Sequence, residues 1–79
     1  MLDEAKLKRI MGAVLRVDPS TIGDESSVEN IPTWDSMRHM NLVLALEDEF
    51  GVAIPDHEAP IITSYPLVRQ AMQRLLDAR

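Results

Sequence analysis

The sequence predicts an all-α fold, a small four-helix bundle with three main helices, one short third helix and a long loop after the first helix. Apolar residues recur every three or four positions in three separate segments, which gathers their side chains on one face of a helix. They make up 46 % of the 79 residues, with only one Trp, one Tyr and one Phe, so the core has to be aliphatic and rich in Met. That composition favours packed helices over a sheet. The length suits a single domain over residues 1–79.

The first helix is predicted over about residues 4–17. Asp3 is placed to cap its free N–H groups, and Asp18 and Pro19 supply a stop signal. Its apolar positions have helical spacing and are Leu7, Ile10, Met11 and Val14. Residues 18–34 contain glycine, proline and several hydroxyl side chains, which indicates a long loop. Three apolar residues are expected to pin this loop to the core, namely Ile22, Val28 and Ile31.

The central helix is predicted from Ser36 to Phe50, because this stretch contains neither Gly nor Pro. Asp35 is a suitable N-cap, and Gly51 stands where a left-handed residue would end the helix at little steric cost. The helix has a broad apolar surface formed by Met37, Met40, Leu42, Val43, Leu44, Leu46 and Phe50. Trp34, just before the helix, is expected to pack in the ordinary way.

The two remaining helices differ in length. Residues 56–61 have room for only one or two turns, because Pro55 and Pro60 limit them, so a short third helix is predicted there. Pro66 suits the first turn of a last helix. The apolar residues of that helix keep the helical period and are Val68, Ala71, Met72, Leu75 and Leu76.

Charge and composition exclude several functions. Thirteen acidic residues against eight basic ones leave a net charge of −5, which disfavours nucleic acid and favours partners with basic patches. The absence of cysteine excludes a disulfide, a thiolate metal site and a cysteine nucleophile. His39 and His57 lack metal-ligand spacing, so surface or helix-packing roles are expected for them and no metal is expected. No export signal or membrane span is visible, and we expect a cytoplasmic monomer.

The residues with the strongest chemical signal are Asp35, Ser36 and Met37, where the long loop meets the central helix. Alone, an Asp-Ser pair at this position is typical of a helix cap. A serine in the first turn also presents its hydroxyl outward, where the free N–H groups and the helix dipole favour a phosphate. A hydrolase nucleophile is a weaker alternative, because no base or oxyanion motif accompanies Ser36.

The chain resembles the acyl carrier protein family, which includes the peptidyl, aminoacyl and D-alanyl carriers. The resemblance covers about residues 35–65 closely, with the modified-serine motif, an acidic helix, an Ile-Pro-Asp turn and a Thr-Ser pair in family order. The matching segments are Asp35-Ser36-Met37, Met40, residues 42–51, Ile54-Pro55-Asp56 and Ile62-Thr63-Ser64.

The resemblance implies that Ser36 receives 4′-phosphopantetheine from coenzyme A through a phosphopantetheinyl transferase. The arm would supply the thiol that the sequence lacks and hold intermediates as thioesters. The chain would then be a non-catalytic carrier, whose tether raises the effective concentration of the intermediate near each partner. The implied partners are loading ligases, synthases and transferases that handle acyl or aminoacyl groups. An unmodified helical adaptor with the same fold is the alternative from another class.

In this family the central and short third helices form the main docking surface, whose acidic positions match Asp35, Glu47, Asp48 and Asp56. The resemblance therefore implies docking to basic patches, whereas the sequence alone fits a solvated helix face equally well. We expect Met37, Met40 and Leu44 to lie in the core or at its rim, from where these adaptable side chains could also touch the arm, its cargo or a partner.

Several residues depart from the commonest fatty-acid carrier pattern. Met37 replaces the usual Leu, Trp34 precedes the motif, and Arg38 and Asn41 stand where acidic residues are common. The front of the docking helix is therefore less negative. Pro60 interrupts the third helix, so no docking residue is carried over beyond Asp56. The pattern is more similar to stand-alone carriers of specialised pathways, including polyketide, peptide or atypical lipid assembly, than to the general fatty-acid carrier.

Overall fold

The structure, a computed structural model, describes residues 2–79. Within that range the chain forms three α-helices, α1 (Glu4–Leu15), α2 (Ser36–Phe50) and α3 (Tyr65–Asp77). It also forms two 3₁₀ turns, the 19–21 turn (Pro19–Thr21) and the 59–61 turn (Ala59–Ile61). The predicted all-α class is confirmed, and the short third helix is present as the 59–61 turn alone.

Each α-helix begins at a side-chain cap. Asp3, Asp35 and Ser64 each accept a hydrogen bond from the backbone N–H three residues further on, at 3.1, 2.8 and 3.3 Å. Such bonds satisfy N–H groups that have no partner inside the helix. Both ends of α2 were predicted correctly, and Gly51 ends it with a φ of 65° in the left-handed region. The helix that positions Ser36 is therefore defined by local signals.

The predicted end of α1 was two residues too late. The helix ends at Leu15, and Arg16 adopts a left-handed φ of 60°. The chain then folds back over its own helix, so closely that a Cβ on Gly12 would lie 2.8 Å from Pro19 Cγ. The absence of a side chain at Gly12 allows the 19–21 turn to pack there, and this contact ends α1 early.

Two of the three apolar residues predicted to hold the long loop against the core do so. Ile22 and Ile31 are buried in the core, but the side chain of Val28 is exposed, so its predicted core position was wrong. The backbone N–H of Val28 instead donates to the carbonyl oxygen of Thr63 at 3.0 Å. This bond holds the middle of the loop against the chain just before α3.

The 59–61 turn is shorter than the predicted helix because of Pro60. Proline has no N–H to donate and its ring obstructs the preceding turn, so an α-helix cannot continue through it. Ile62 then leaves helical conformation with φ −84° and ψ 67°. The turn is connected to α3 through the ion pair of Glu58 with Arg74.

The core lies where the three α-helices meet. Its largest fully buried side chains come from all three helices and are Leu7, Met11, Leu15, Leu42, Leu46, Tyr65, Val68 and Met72. These residues follow the helical period of the sequence on α1 and α3, which confirms the predicted faces of those helices. Burial of such side chains is the main force that stabilises a domain of this size.

Tyr65, the first residue of α3, is hydrogen-bonded to Glu4, the first residue of α1. Its hydroxyl donates a hydrogen bond to Glu4 Oε1 at 2.8 Å. Burial, together with the hydrogen bond and the negative charge of Glu4, raises the pKa of Tyr65 from 10.0 to about 12. The folded chain therefore retains a proton that the unfolded chain releases between these two values.

We expect Tyr65 to make the fold less stable as the pH rises from about 10 to about 12, because the unfolded state then binds fewer protons than the folded state. Below about pH 10 the contribution is constant. The check is the urea midpoint of the wild type and of Tyr65→Phe at about pH 9 and about pH 11. The phenylalanine variant should lose less stability over this interval; an equal loss in both proteins would contradict the prediction.

Candidate functional site

Ser36 is the first residue of α2, and its side chain is exposed. The preceding Asp35 has extended backbone, and its Oδ1 accepts the hydrogen bond from Arg38 N–H that caps the helix. Because Asp35 does the capping, the Ser36 hydroxyl is not required for it. Ser36 therefore presents an oxygen at the positive end of a helix, where a phosphate attached to it is stabilised.

The charge of Asp35 is compensated by its own helix. Arg38 Nη1 lies 3.3 Å from Asp35 Oδ2 and 3.5 Å from the carbonyl oxygen of Thr33. Such an exposed pair contributes little to stability, but it offsets the negative charge beside Ser36. Asp35, which the resemblance places on an expected docking surface, therefore carries less net negative charge than an unpaired aspartate would.

Trp34 and His39 form a second contact at the start of α2. Trp34 is buried, as expected, and its Nε1–H donates to His39 Nδ1 at 3.0 Å. His39 Nε2 lies 2.7 Å from the carbonyl oxygen of Ala59. An indole nitrogen only donates and a carbonyl oxygen only accepts, so the pairing assigns the imidazole proton to Nε2. Both ring nitrogens are thus occupied, and neither is free to take a proton from Ser36.

Two clefts meet at Ser36. The loop-side cleft, about 500 Å³, is lined by Val28, Trp34, Asp35 and Thr63 together with Ser36, His39 and Pro60. The helix-side cleft, about 450 Å³, runs along α2 and shares those last three residues; its other walls include Met40, Val43, Leu44 and Ile54. A group attached to Ser36 therefore has two grooves beside it. A further depression on α3, lined by Arg69 and Arg74 among others, does not include Ser36.

Three apolar side chains of α2 lie outside the core. Met37, Met40 and Leu44 are 75, 60 and 56 % exposed, so their expected position in the core or at its rim was wrong. Core positions on this helix are taken by Leu42 and Leu46, whose side chains point to the opposite face. The result is an apolar stripe that begins next to Ser36, and we call Met37, Met40 and Leu44 the α2 stripe.

The predicted acidic docking residues fall into two groups. Asp48 and Asp56 are exposed. Glu47 is half-buried, and its Oε2 accepts a hydrogen bond from the backbone N–H of Ile54 at 2.7 Å. Glu47 therefore stabilises the chain reversal after α2, a role that sequence reasoning missed. The local signal was weak, because the bond joins residues seven positions apart across Gly51.

Sequence reasoning also missed part of the site. It treated His39 as a surface or packing residue and did not place Val28, Pro60 or Thr63 near Ser36, although all four line the clefts there. These residues come from three segments of the chain, so no spacing in the sequence connects them.

Among residues 2–79 no group of three or more His, Cys, Asp or Glu side chains is placed to hold a metal ion. No helix in this part of the chain has the length and apolar character needed to cross a membrane.

Comparison with known proteins agrees with this geometry. Residues 5–75 match the family described as a phosphopantetheine attachment site. The fold is similar to the solution NMR structure of a holo acyl carrier protein from Geobacter metallireducens, with a TM-score of 0.85 and 24 % identity over 99 % of this chain and 90 % of that chain. Members of the matched family are carriers that serve as substrates of enzymes and are not themselves catalysts. Because the match spans most of its length, the chain belongs to the phosphopantetheine attachment family of carrier proteins, whose cofactor is a covalently attached 4′-phosphopantetheine.

Proposed function

We propose that Ser36 is the attachment residue and that the chain, as one carrier domain over residues 1–79, presents acyl intermediates to partner enzymes. The observation that carries this proposal is the exposed Ser36 hydroxyl at the start of α2, where two clefts meet and a neighbouring aspartate performs the capping. Aminoacyl or polyketide intermediates would use the same residues. A cytoplasmic location and a monomeric state are part of the proposal.

The chemistry at Ser36 is a phosphoryl transfer. A transferase joins Ser36 Oγ to the pantetheine-bearing phosphorus of coenzyme A, the bond to adenosine bisphosphate breaks, and the hydroxyl proton passes to the transferase. The attached group supplies a terminal thiol that holds the cargo as a thioester. The N-terminus of α2 stabilises the negative phosphodiester at Ser36, because its N–H groups and dipole are directed toward that position.

The test of this function is the intact mass of the purified chain after incubation with coenzyme A and a broad-specificity phosphopantetheinyl transferase. We expect a gain of one phosphopantetheine per chain. Fragmentation of the product should place the added mass on the peptide that contains Ser36. A wild-type chain that stays unmodified by several transferases would refute the proposed function.

We propose that partners dock on the α2 stripe and on the carboxylates beside it. Exposed apolar side chains next to a reactive position provide contact area, and charges at the rim accelerate and orient the encounter. Asp48 and Asp56 are exposed and available for this role, whereas Asp35 is paired with Arg38 and Glu47 with a backbone N–H. The expected partners are loading ligases, synthases and transferases whose surfaces combine an apolar depression with basic residues.

Reversal of charge at Asp48 is expected to weaken the binding of such a partner by about fivefold at low salt, because a rim attraction becomes a repulsion. The measurement is the Kd of the transferase for Asp48→Lys at low and high salt. Glu49→Lys is a matched control, since Glu49 lies about 100° further around the helix, on the side away from the α2 stripe. Equal effects of the two substitutions, or a loss that salt does not reduce, would contradict an acidic rim at Asp48.

A further inference from the structure

His39 connects three separate parts of the molecule beside Ser36. Its Nδ1 accepts the indole hydrogen bond of Trp34, and its Nε2–H donates to the carbonyl oxygen of Ala59. The two rings are stacked, with centroids 6.1 Å apart and planes inclined by 25°. The imidazole thereby ties both the end of the long loop and the 59–61 turn to α2. We call this arrangement the His39 bridge.

The 59–61 turn has few other attachments. Ile61 is 62 % exposed, so the largest side chain of the turn contributes little burial. Pro60 has no N–H group with which to join a hydrogen-bonded ladder. The other connections near the turn are the packing of Ala59 against the core, the burial of Ile62 directly after the turn, the ion pair of Glu58 with Arg74 and the local backbone bonds. Among residues 2–79, the His39 bridge supplies the side-chain hydrogen bond that joins the turn to α2.

The position of the turn determines the shape of the surface around Ser36. Pro60, which directly follows the carbonyl group held by His39, lines both the loop-side and the helix-side cleft. A displacement of the turn would change the width of both clefts at once. Any enzyme that acts at Ser36 has to bind over this junction, because the two clefts meet at that residue.

We propose that His39 is a positioning residue, whose neutral imidazole holds the 59–61 turn in the position that partner enzymes recognise around Ser36. The inference rests on the proposed function of Ser36. Both ring nitrogens are occupied, so His39 takes no part in making or breaking bonds. Its loss should therefore weaken recognition of the carrier and leave the chemical step unchanged.

The first experiment compares three variants as substrates of a broad-specificity transferase with coenzyme A. His39→Leu removes both hydrogen bonds and should raise the KM for the carrier about tenfold with kcat unchanged. His39→Gln retains one acceptor and one donor at a similar separation, and should keep the KM within about threefold of the wild type. His57→Leu removes the other histidine, which is exposed, and should have no effect.

The second experiment needs no transferase. Trp34 is the single tryptophan, so hydrogen exchange of its indole N–H reports directly on the bridge. Exchange should be at least about tenfold faster in His39→Leu than in the wild type, because the N–H has lost its acceptor. The ¹⁵N spectrum of the wild-type imidazole should show a proton on Nε2 and none on Nδ1.

Several results would overturn the proposal. These are a wild-type imidazole protonated on Nδ1, indole exchange that is the same in His39→Leu, and a KM raised equally by the leucine and glutamine variants. If His39→Leu does not fold, the KM of His39→Gln and the wild-type ¹⁵N spectrum still test the proposal. A KM of His39→Gln raised about tenfold, or a proton on Nδ1, would then overturn it. A wild-type chain that no transferase modifies would refute the role of Ser36, whereas unchanged KM values in a modified chain would refute the role of His39 alone.

Discussion

Replacement of Ser36 with alanine is expected to abolish attachment of 4′-phosphopantetheine. The modified fraction of the chain should fall to zero and not merely decrease. The substitution removes the only oxygen that this position offers for the phosphodiester. It should leave the fold intact, because Asp35 caps α2 through its own carboxylate and Ser36 is exposed. Surface substitutions of this kind usually change stability by less than about 0.5 kcal/mol. The loss of modification would therefore not result from unfolding.

Intact-mass spectrometry after incubation with coenzyme A and the transferase measures this outcome. Ser20→Ala provides a matched control, since Ser20 is another exposed serine, within the 19–21 turn, and lies outside the site. We expect full modification of the control and none of Ser36→Ala. A gain of one phosphopantetheine by Ser36→Ala would place the attachment on another residue and would disprove the assignment.

The second large effect is expected at Leu46. This side chain is fully buried among the three helices, at 0 % exposure. Truncation to alanine removes its apolar contacts and leaves a cavity, which in buried positions costs about 2–5 kcal/mol. A small domain has a total free energy of unfolding of only about 5–15 kcal/mol, so Leu46→Ala should lose a large part of it. The urea midpoint measures this change.

Leu44 is the matched control for Leu46, because it is the same residue type on the same helix and is 56 % exposed. Leu44→Ala should change the free energy of unfolding by less than about 0.5 kcal/mol. It should instead weaken partner binding, on the order of tenfold, because Leu44 belongs to the proposed docking surface. Equal destabilisation by the two substitutions would contradict the assignment of opposite faces to these residues.

These two leucines show why the faces of α2 could not be predicted from sequence. Apolar residues occupy more than half of its circumference, so the helical period has no single preferred direction. Met37, Met40 and Leu44 fit a core pattern as well as Leu42 and Leu46 do. On α1 and α3 the apolar positions form one narrower stripe, and the predicted faces of those helices are confirmed.

The acidic residues illustrate a different difficulty. The sequence does not show which partner each carboxylate has in the folded chain. All four acidic residues that matched the docking pattern therefore looked equivalent, namely Asp35, Glu47, Asp48 and Asp56. The structure pairs Asp35 with Arg38 and directs Glu47 to the N–H of Ile54. The first pairing spans three residues and was foreseeable from helical geometry, whereas the second depends on the reversal of the chain at Gly51.

The sequence by itself determined the all-α class and the caps and bounds of α2, because these depend on side chains within about one helical turn of one another. The resemblance of residues 35–65 to the acyl carrier protein family implied Ser36 as the attachment residue. Only the tertiary structure decided which face of α2 is exposed, where the two clefts lie and what His39 holds. The His39 bridge joins residues 20 positions apart, and the clefts join three chain segments. Contacts at such separations have no period in the sequence, since they arise from how the helices and loops pack together.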